Sequence, residues 1–528
     1  MTCTVDLDGD EAPPTYTSLA DVYDFKTAAQ AAPRYEALYR AYVARFGSAP
    51  SLFVRSPGRV NLIGEHIDYA GFSVLPMALN RDILLAVGDI EPVGPGGTVT
   101  VRLHHADHAE RYVDTEWSHQ SGTVLEIDKT VHHWGNYVQG AYRTTLEQIQ
   151  SDARIGQTLS RFNLAVSSTL PIAAGLSSSA ALTCGASLAT MAANGVVMKS
   201  RQLVRAAIDG EHLAGVACGG MDQSICMLGH REAALRVDFA PHLHVSPVPL
   251  PLTSAGEQPV FIIAQTLKTA EKHKYAAVQY NLRFYEATLG AVVLARALNI
   301  SVPCKTYHAV LNAYYGPEAM RSAPAETLAE AMQRFEDIFP VKGVVNEADV
   351  PEMLDISDLS IASLRARYAP DMQCDASGGL HLFARGKHIL AEAHRVYAFD
   401  ALCKLNAGSS MPDPDGTLKA LGQLMHESHR SCVELYDCSS PELDTLTTLA
   451  EKHGAFGSRL TGAGWGGSCV SLVTADRAAG LIASLCEEYY YQRRPEWRHD
   501  PAGQQQLSNM IFASAPQAGA NIFRDLIL

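Results

Sequence analysis

Residues 55–69, Arg55-Ser-Pro-Gly-Arg-Val-Asn-Leu-Ile-Gly-Glu-His-Ile-Asp-Tyr69, set two arginines, two carboxylates and a histidine around an apolar centre of Val60, Leu62 and Ile63. The apolar residues read as a short buried strand. Pro57-Gly58 reads as the turn leading into it, because proline fixes φ and glycine permits close approach. Gly64 then releases Glu65, His66 and Asp68 into a loop. A solvated turn held by ion pairs is the alternative, but these charges flank an apolar strand rather than lying in a polar run. That arrangement suits a site for a hydroxyl-rich ligand beside a cation of phosphate-binding size.

A chain of 528 residues, 47% hydrophobic and 19% charged, has the make-up of an ordinary globular protein with room for two or three domains. Its net charge of -14, from 42 Lys+Arg against 56 Asp+Glu, leaves no electrostatic footprint for nucleic acid or an anionic membrane. An anionic substrate therefore needs a local basic or amide-lined pocket. The acidic first residues lack the basic and apolar regions of a signal peptide, and no apolar run reaches transmembrane length. The 11 cysteines are scattered without a Cys-x-x-Cys pair, which argues against a disulfide framework or a structural zinc and for reduced thiols in the cytoplasm.

Residues 1–24 read as a flexible leader, followed by an N-terminal domain over 25–255 and a C-terminal domain over 256–528, with a proline-rich hinge at 247–251. Strand patterns occupy 51–55, 82–88, 98–103, 162–167, 261–266 and 471–474. Helical patterns occupy 27–46, 180–192, 201–213, 280–298, 391–405 and 418–436. Strands and helices in separate blocks predict an α+β fold rather than a doubly wound sheet.

Pro171-Ile-Ala-Ala-Gly-Leu-Ser-Ser-Ser-Ala-Ala181 follows a strand and opens a small-residue helix, so Gly175 and the next amides form an anion site at a helix N-terminus. A P-loop requires Gly-x-x-x-x-Gly-Lys-Ser/Thr, which this chain lacks; Ser177, Ser178 and Ser179 stand in place of the lysine. Ser177 as a simple N-cap, worth about 1 kcal/mol, explains one serine but not three. A serine also offers Mg²⁺ a hard oxygen. Further on, Gly219-Gly220 presents Asp222, either as a general base or as the cap of the next helix. The run Arg459-Leu-Thr-Gly-Ala-Gly-Trp-Gly-Gly-Ser468 contains Gly-x-Gly-x-x-Gly but precedes a strand, so it predicts a glycine loop packed on the phosphate loop, not a dinucleotide fold.

In this order the elements resemble the galactokinase branch of the GHMP kinases, a family that includes homoserine and mevalonate kinases. Gly58-Arg-Val-Asn-Leu-Ile-Gly-Glu-His-Ile-Asp-Tyr69 resembles the sugar signature of that branch. Gly175-Leu-Ser-Ser-Ser-Ala180 resembles the family's phosphate motif, and Leu460-Thr-Gly-Ala-Gly-Trp-Gly-Gly467 its C-terminal glycine loop. The resemblance implies a two-domain GHMP kinase fold with the active site in the cleft between the domains. It also implies ATP- and Mg²⁺-dependent phosphorylation of the anomeric hydroxyl of D-galactose to α-D-galactose 1-phosphate.

Residue by residue, it implies Asp222 as the catalytic carboxylate with Arg59 beside it. Arg59, Glu65, His66, Asp68, Gly219, Asp222 and Tyr280 would surround the sugar. Gly175, Leu176, Ser177, Ser178, Ser179, Trp134 and Lys272 would meet the nucleotide, with Ser179 and Glu211 on Mg²⁺. For Trp134 core packing is the alternative. Ile67 and Ala70 stand where other galactokinases carry Thr and Asn, and Ala173-Ala174 where glycines precede Gly175. Ile67 and the 459–467 loop look most like a branch with fungal galactokinases and N-acetylgalactosamine kinases. Two alternatives follow: an N-acetylgalactosamine kinase, or a galactose- and ATP-dependent sensor that engages a transcriptional repressor, with or without catalysis.

Overall fold

The segment around Val60 folds as one buried strand, β2, Leu52–Ile63. At Pro57-Gly58, where the sequence predicts a turn, the strand runs on, and its register against β3, Leu75–Val93, shifts between Pro57 and Arg59 and again between Asn61 and Ile63. A bulge accommodates the missing proline N–H without ending the strand. The glycine is needed for approach rather than for turning: a Cβ on Gly58 would lie 2.4 Å from Leu170 Cδ2 and 2.7 Å from Leu176 O.

The computed structural model describes residues 11–526 except 24, 129–132, 152–158, 173, 216–218, 241, 269–275, 357–359, 370–373 and 406–412. Strands are numbered in chain order. β1 (Thr15–Tyr16), β4 (Thr98–His105), β5 (Thr115–Gln120), β6 (Leu159–Ser168) and β13 (Asn521–Arg524) join β2 and β3 in a seven-stranded sheet ordered β1-β13-β2-β3-β6-β4-β5. A four-stranded sheet, β10-β11-β9-β12, is built from β9 (Val260–Gln265), β10 (Gly457–Thr461), β11 (Ser468–Val473) and β12 (Ile511–Ser514). β7 (Ala233–Asp238) and β8 (His244–Pro249) form a separate pair. Antiparallel pairing within sheets and helices in separate blocks make this the expected α+β fold, with parallel contacts at β1–β13 and β4–β6.

Alternation along β2 assigns its two faces. Phe53 packs with Tyr35, Leu38 and Tyr42 of helix Phe25–Phe46, whereas Leu52 and Val54 belong to the main core. On the main-core side lies helix Ser178–Ala193, whose residues from Ala180 onward are all buried, so it carries no polar face. The change of sheet falls between β8 and β9, but the end of the chain does not respect it: β12 completes the second sheet and β13 returns to pair with β2 in the first. Within the stretch read as a leader, Thr15–Tyr16 pair with Ile522–Phe523, and the Tyr23 hydroxyl donates to Asp82. A two-residue strand has no periodicity by which to be read.

Helix Pro414–Ser431 crosses β10 at Gly422, where a Cβ would lie 2.1 Å from Phe456 O; one on Gly457 would lie 2.0 Å from Gly422 O. Gly422→Ala is expected to destabilise the protein by about 1–3 kcal/mol through overpacking, read as a lower urea midpoint with unchanged slope. Among the described residues no helix is long and apolar enough to cross a membrane, and the cysteines are free.

Candidate active site

Arg59 leaves β2 just after the bulge, and its guanidinium forks onto Asp222: Nε donates to Oδ1 at 2.7 Å and Nη2 to Oδ2 at 2.8 Å. Asp222 lies in the first turn of helix Met221–Leu228, whose N-cap is Gly220 at φ 102°. The glycine pair thus turns the chain so that the carboxylate meets the arginine. Arg59 Nη1 donates to Gly175 O at 2.7 Å, tying the pair to the serine motif. Burial opposes the Arg59 charge, but Asp222 and Glu65 outweigh it and hold the guanidinium above its ordinary pKa. The Asp222 side chain keeps 22% of its surface exposed, against 5% for Arg59, so the carboxylate is the partner open to a ligand.

Ser177 occupies the N-cap position of helix Ser178–Ala193 at φ 58° but makes no cap bond with its side chain. Its hydroxyl donates to Asp222 Oδ2 at 2.5 Å. The expected hydroxyl for phosphate is therefore turned to the carboxylate, and Ser178 and Ser179, both part-exposed, begin the helix beyond it. The glycine loop packs on this segment as predicted. A Cβ on Gly462 would lie 2.6 Å from Gly175 O, one on Gly467 3.1 Å from Ala174 O, and Ser468 Oγ donates to Ala174 O at 2.7 Å.

The same loop reaches the other side of the site. Ala463 O accepts from His66 Nε2 at 2.9 Å, and the Trp465 ring stands 5.8 Å from the His66 ring in a T-shaped contact. Burial lowers His66 to about 3, so the ring is neutral; with Nε2 donating, Nδ1 accepts from Tyr69 Oη at 3.0 Å. Tyr69 Oη then accepts from Tyr436 Oη at 2.6 Å. Both imidazole nitrogens are thus taken within the protein.

Glu65 is buried and takes a hydrogen bond from Arg459 Nη2 at 3.1 Å. Burial pushes its carboxyl up to about 7 against the pull of Arg459 and Arg59, with Glu392 and Asp222 adding to the rise. Asp68 is likewise raised, to about 6, by burial and then by the Asp222 charge. Gly219 lies directly on Asp68: a Cβ there would stand 2.1 Å from Asp68 Oδ2. Tyr280, in helix Ala276–Ala297, closes on this wall with its ring 5.6 Å from His66 and 5.7 Å from Tyr69.

Glu211, buried near the end of helix Ser200–Leu213, accepts from the Gln223 amide, one residue past Asp222. Trp134 stands apart, in a cluster with His105 and Tyr112, and donates Nε1–H to Val113 O at 3.0 Å. Lys272 lies outside the described residues. The sequence reading missed His388, Glu392, Tyr436 and the pairing of Arg459 with Glu65. A buried His and Glu four apart in helix Leu382–Leu405 were a usable signal of an inward polar stripe, but their partners lie over three hundred residues away.

Comparison with known proteins agrees with this architecture. The galactokinase galactose-binding signature matches residues 40–89, the GHMP kinases N terminal domain residues 136–230 and the GHMP kinases C terminal family residues 398–491. A galactokinase of Dictyostelium discoideum is 33% identical over 491 residues, covering 90% of this chain and 92% of its own length. A galactokinase of Saccharomyces cerevisiae is 31% identical over 533 residues, covering 95% and 98%. In fold, the crystal structure of Lactococcus lactis galactokinase complexed with galactose superposes with a TM-score of 0.63 at 21% identity, over 92% of this chain and 99% of that one. With a 33%-identical relative spanning nine-tenths of both chains and the sugar signature lying on the strand that carries Arg59, the chain belongs to the galactokinase family of GHMP kinases.

Proposed function

We propose that this site transfers the γ-phosphoryl group of ATP to the anomeric hydroxyl of D-galactose, yielding α-D-galactose 1-phosphate and ADP. The observation that carries the reading is the Arg59–Asp222 fork, set between the serine motif on one side and Glu65 and Asp68 on the other. Phosphoryl transfer asks a protein for positioning and charge stabilisation more than for covalent chemistry. In this reading the sugar oxygen bonds to the γ-phosphorus, the bond from that phosphorus to the bridging oxygen breaks, and the hydroxyl proton passes to Asp222. Arg59 steadies the ionised carboxylate and the negative charge that gathers beside it.

Glu65, Asp68, the Gly219 backbone and Tyr280 contribute acceptors and donors for sugar hydroxyls. His66 stands in the same wall and is assigned to a sugar hydroxyl by family resemblance. On the nucleotide side, the Gly175 and Leu176 backbone, Ser178 and Ser179 face phosphate at the helix N-terminus, while Ser177 serves Asp222. Trp134 and Lys272 are assigned to the nucleotide by family resemblance alone. Ser179 and the buried Glu211 supply hydroxyl and carboxylate oxygens, a donor set suited to Mg²⁺, which keeps its remaining positions for water and phosphate. A Mg²⁺ ion held by these residues would neutralise phosphate charge. The free thiols support a cytoplasmic setting.

Ile67 is fully buried, next in the chain to the buried Glu65 and His66. The deciding assay supplies purified protein with Mg-ATP and either galactose or N-acetylgalactosamine and follows ADP release. Turnover confined to galactose is expected. Preference for N-acetylgalactosamine would transfer the reading to that sugar, and tight binding without turnover of either would end the enzyme reading.

A further inference from the structure

Among the buried residues of helix Leu382–Leu405, His388, Glu392 and Val396 fall at four-residue spacing on one row, all with no measurable exposure. Each of the three meets the loop that bears Glu65. His388 Nε2 donates to Glu65 O at 3.0 Å, and its Nδ1 accepts from Ser431 Oγ at 2.8 Å. Glu392 Oε1 accepts from the backbone N–H groups of Gly64 at 2.8 Å and Glu65 at 3.1 Å. Val396 Cγ2 would stand 3.0 Å from a Cβ on Gly64, whose φ is 105°.

A buried carboxylate is expensive, and a well-packed apolar residue often serves stability as well or better. Glu392, fully buried, also accepts from Ser428 Oγ at 2.7 Å and Arg395 Nε at 2.8 Å. Arg459 Nη2 lies 3.8 Å from its Oε1 and 3.1 Å from Glu65 Oε2, so one guanidinium serves both acids. Arg459 also grips the loop's approach through Nη1 to Asn61 O at 2.8 Å.

We infer that Glu392 is a positioning residue for the proposed reaction: it fixes the backbone turn that aims Glu65 at the substrate and competes with Glu65 for Arg459. This rests on the galactokinase reading for what Glu65 binds. The clamp contacts the backbone of residues 64 and 65, so it sets their position whatever side chain follows. The charges that face Glu65 are Arg59 of β2, Arg459 of β10, Asp222 of helix Met221–Leu228 and Glu392, with the neutral His388 on its carbonyl and the Cys438 thiol nearby. Glu392 is among the groups that raise the Glu65 carboxyl and Arg459 is the strongest that lowers it.

Two variants of the full chain test this. Glu392→Gln keeps the size and one acceptor oxygen but removes the charge, leaving Arg459 to Glu65. The acid limb of kcat/KM for galactose is expected to move to lower pH, because Glu65 then stays ionised further into acid. A merely structural role would not move that limb in this direction. Glu392→Leu removes the acceptor from two backbone donors, and the galactose KM is expected to rise about tenfold with the ATP KM unchanged. Amide hydrogen exchange at residues 64 and 65 is expected to quicken in the leucine variant, and it reads the clamp even without turnover.

An unmoved acid limb in Glu392→Gln, or a folded Glu392→Leu with wild-type galactose KM and exchange, overturns the inference. Should the leucine variant fail to fold, the pH limb of the glutamine variant decides. Should the wild type itself turn over no sugar, the galactokinase reading fails separately. The exchange rates at residues 64 and 65 in the leucine variant then decide the clamp: quickening supports it, and wild-type rates overturn it.

Discussion

Asp222→Asn is expected to lower kcat by about 10²–10⁴-fold, the usual contribution of a positioned general base, while leaving the protein folded and able to bind galactose. Asparagine has the same shape, so the helix that starts at Met221 and the glycine turn before it need not move. What changes is chemistry: an amide accepts no proton at neutral pH, and one of its ends is a donor facing the donors of Arg59 and Ser177. Because the Asp222 side chain is 22% exposed, the mismatch is relieved partly by water and the stability cost is modest. Steady-state ADP release, with galactose binding followed by calorimetry, separates the two effects. Near-wild-type kcat would remove Asp222 from the base role.

Arg59→Met is expected to damage both rate and fold. Methionine fills the buried path of the arginine stem but abandons three hydrogen bonds, two to Asp222 and one to Gly175 O. Breaking a fully buried ion pair costs about 3–5 kcal/mol; with Asp222 partly solvated, about 2–4 kcal/mol is expected here, read from the urea midpoint. The loss of a preorganised cation beside the transferred group is expected to lower kcat/KM by about 10²–10³-fold. Arg59→Lys tests the geometry separately, since an ammonium cannot fork onto both carboxylate oxygens, and it should recover stability more fully than rate. A variant at Arg59 with normal stability and rate would show that the fork only happens to lie in the site.

The elements that were legible in the chain are those whose evidence is local. The helix beginning at Ser178 announced itself by its run of small residues after a glycine, and the glycine loop by a fingerprint in the wrong context for a dinucleotide site. Arg59, Glu65 and Asp68 were legible as charge flanking an apolar strand and Asp222 as a carboxylate after a glycine turn, but the role of each came from the resemblance to the family. Pro57-Gly58 misled, since the same pair serves a turn or a bulge, and only the clash of a Cβ with Leu170 and Leu176 distinguishes them. Ser177 was legible as a cap or a phosphate ligand, yet its hydroxyl bonds an acid 45 positions later. Residues 15–16 were silent because their strand exists only by pairing with residues 522–523.

By itself the sequence determined which chemistry is present: the strand that carries two arginines, the loop of acids and histidine, the serine-rich helix start and the glycine loop. Periodicity and turn propensity are properties of neighbouring residues, so they survive without any knowledge of the fold. Tertiary structure alone decided how these groups are divided and held. It turned the nitrogens of His66 inward to Ala463 and Tyr69, assigned Ser177 to Asp222, and set His388, Glu392 and Arg459 of the second half against the Glu65 loop of the first. The partners from the second half lie over three hundred residues from the Glu65 loop, and burial, which lifts Glu65 to about 7 and lowers His66 to about 3, comes only from the packing of many segments at once.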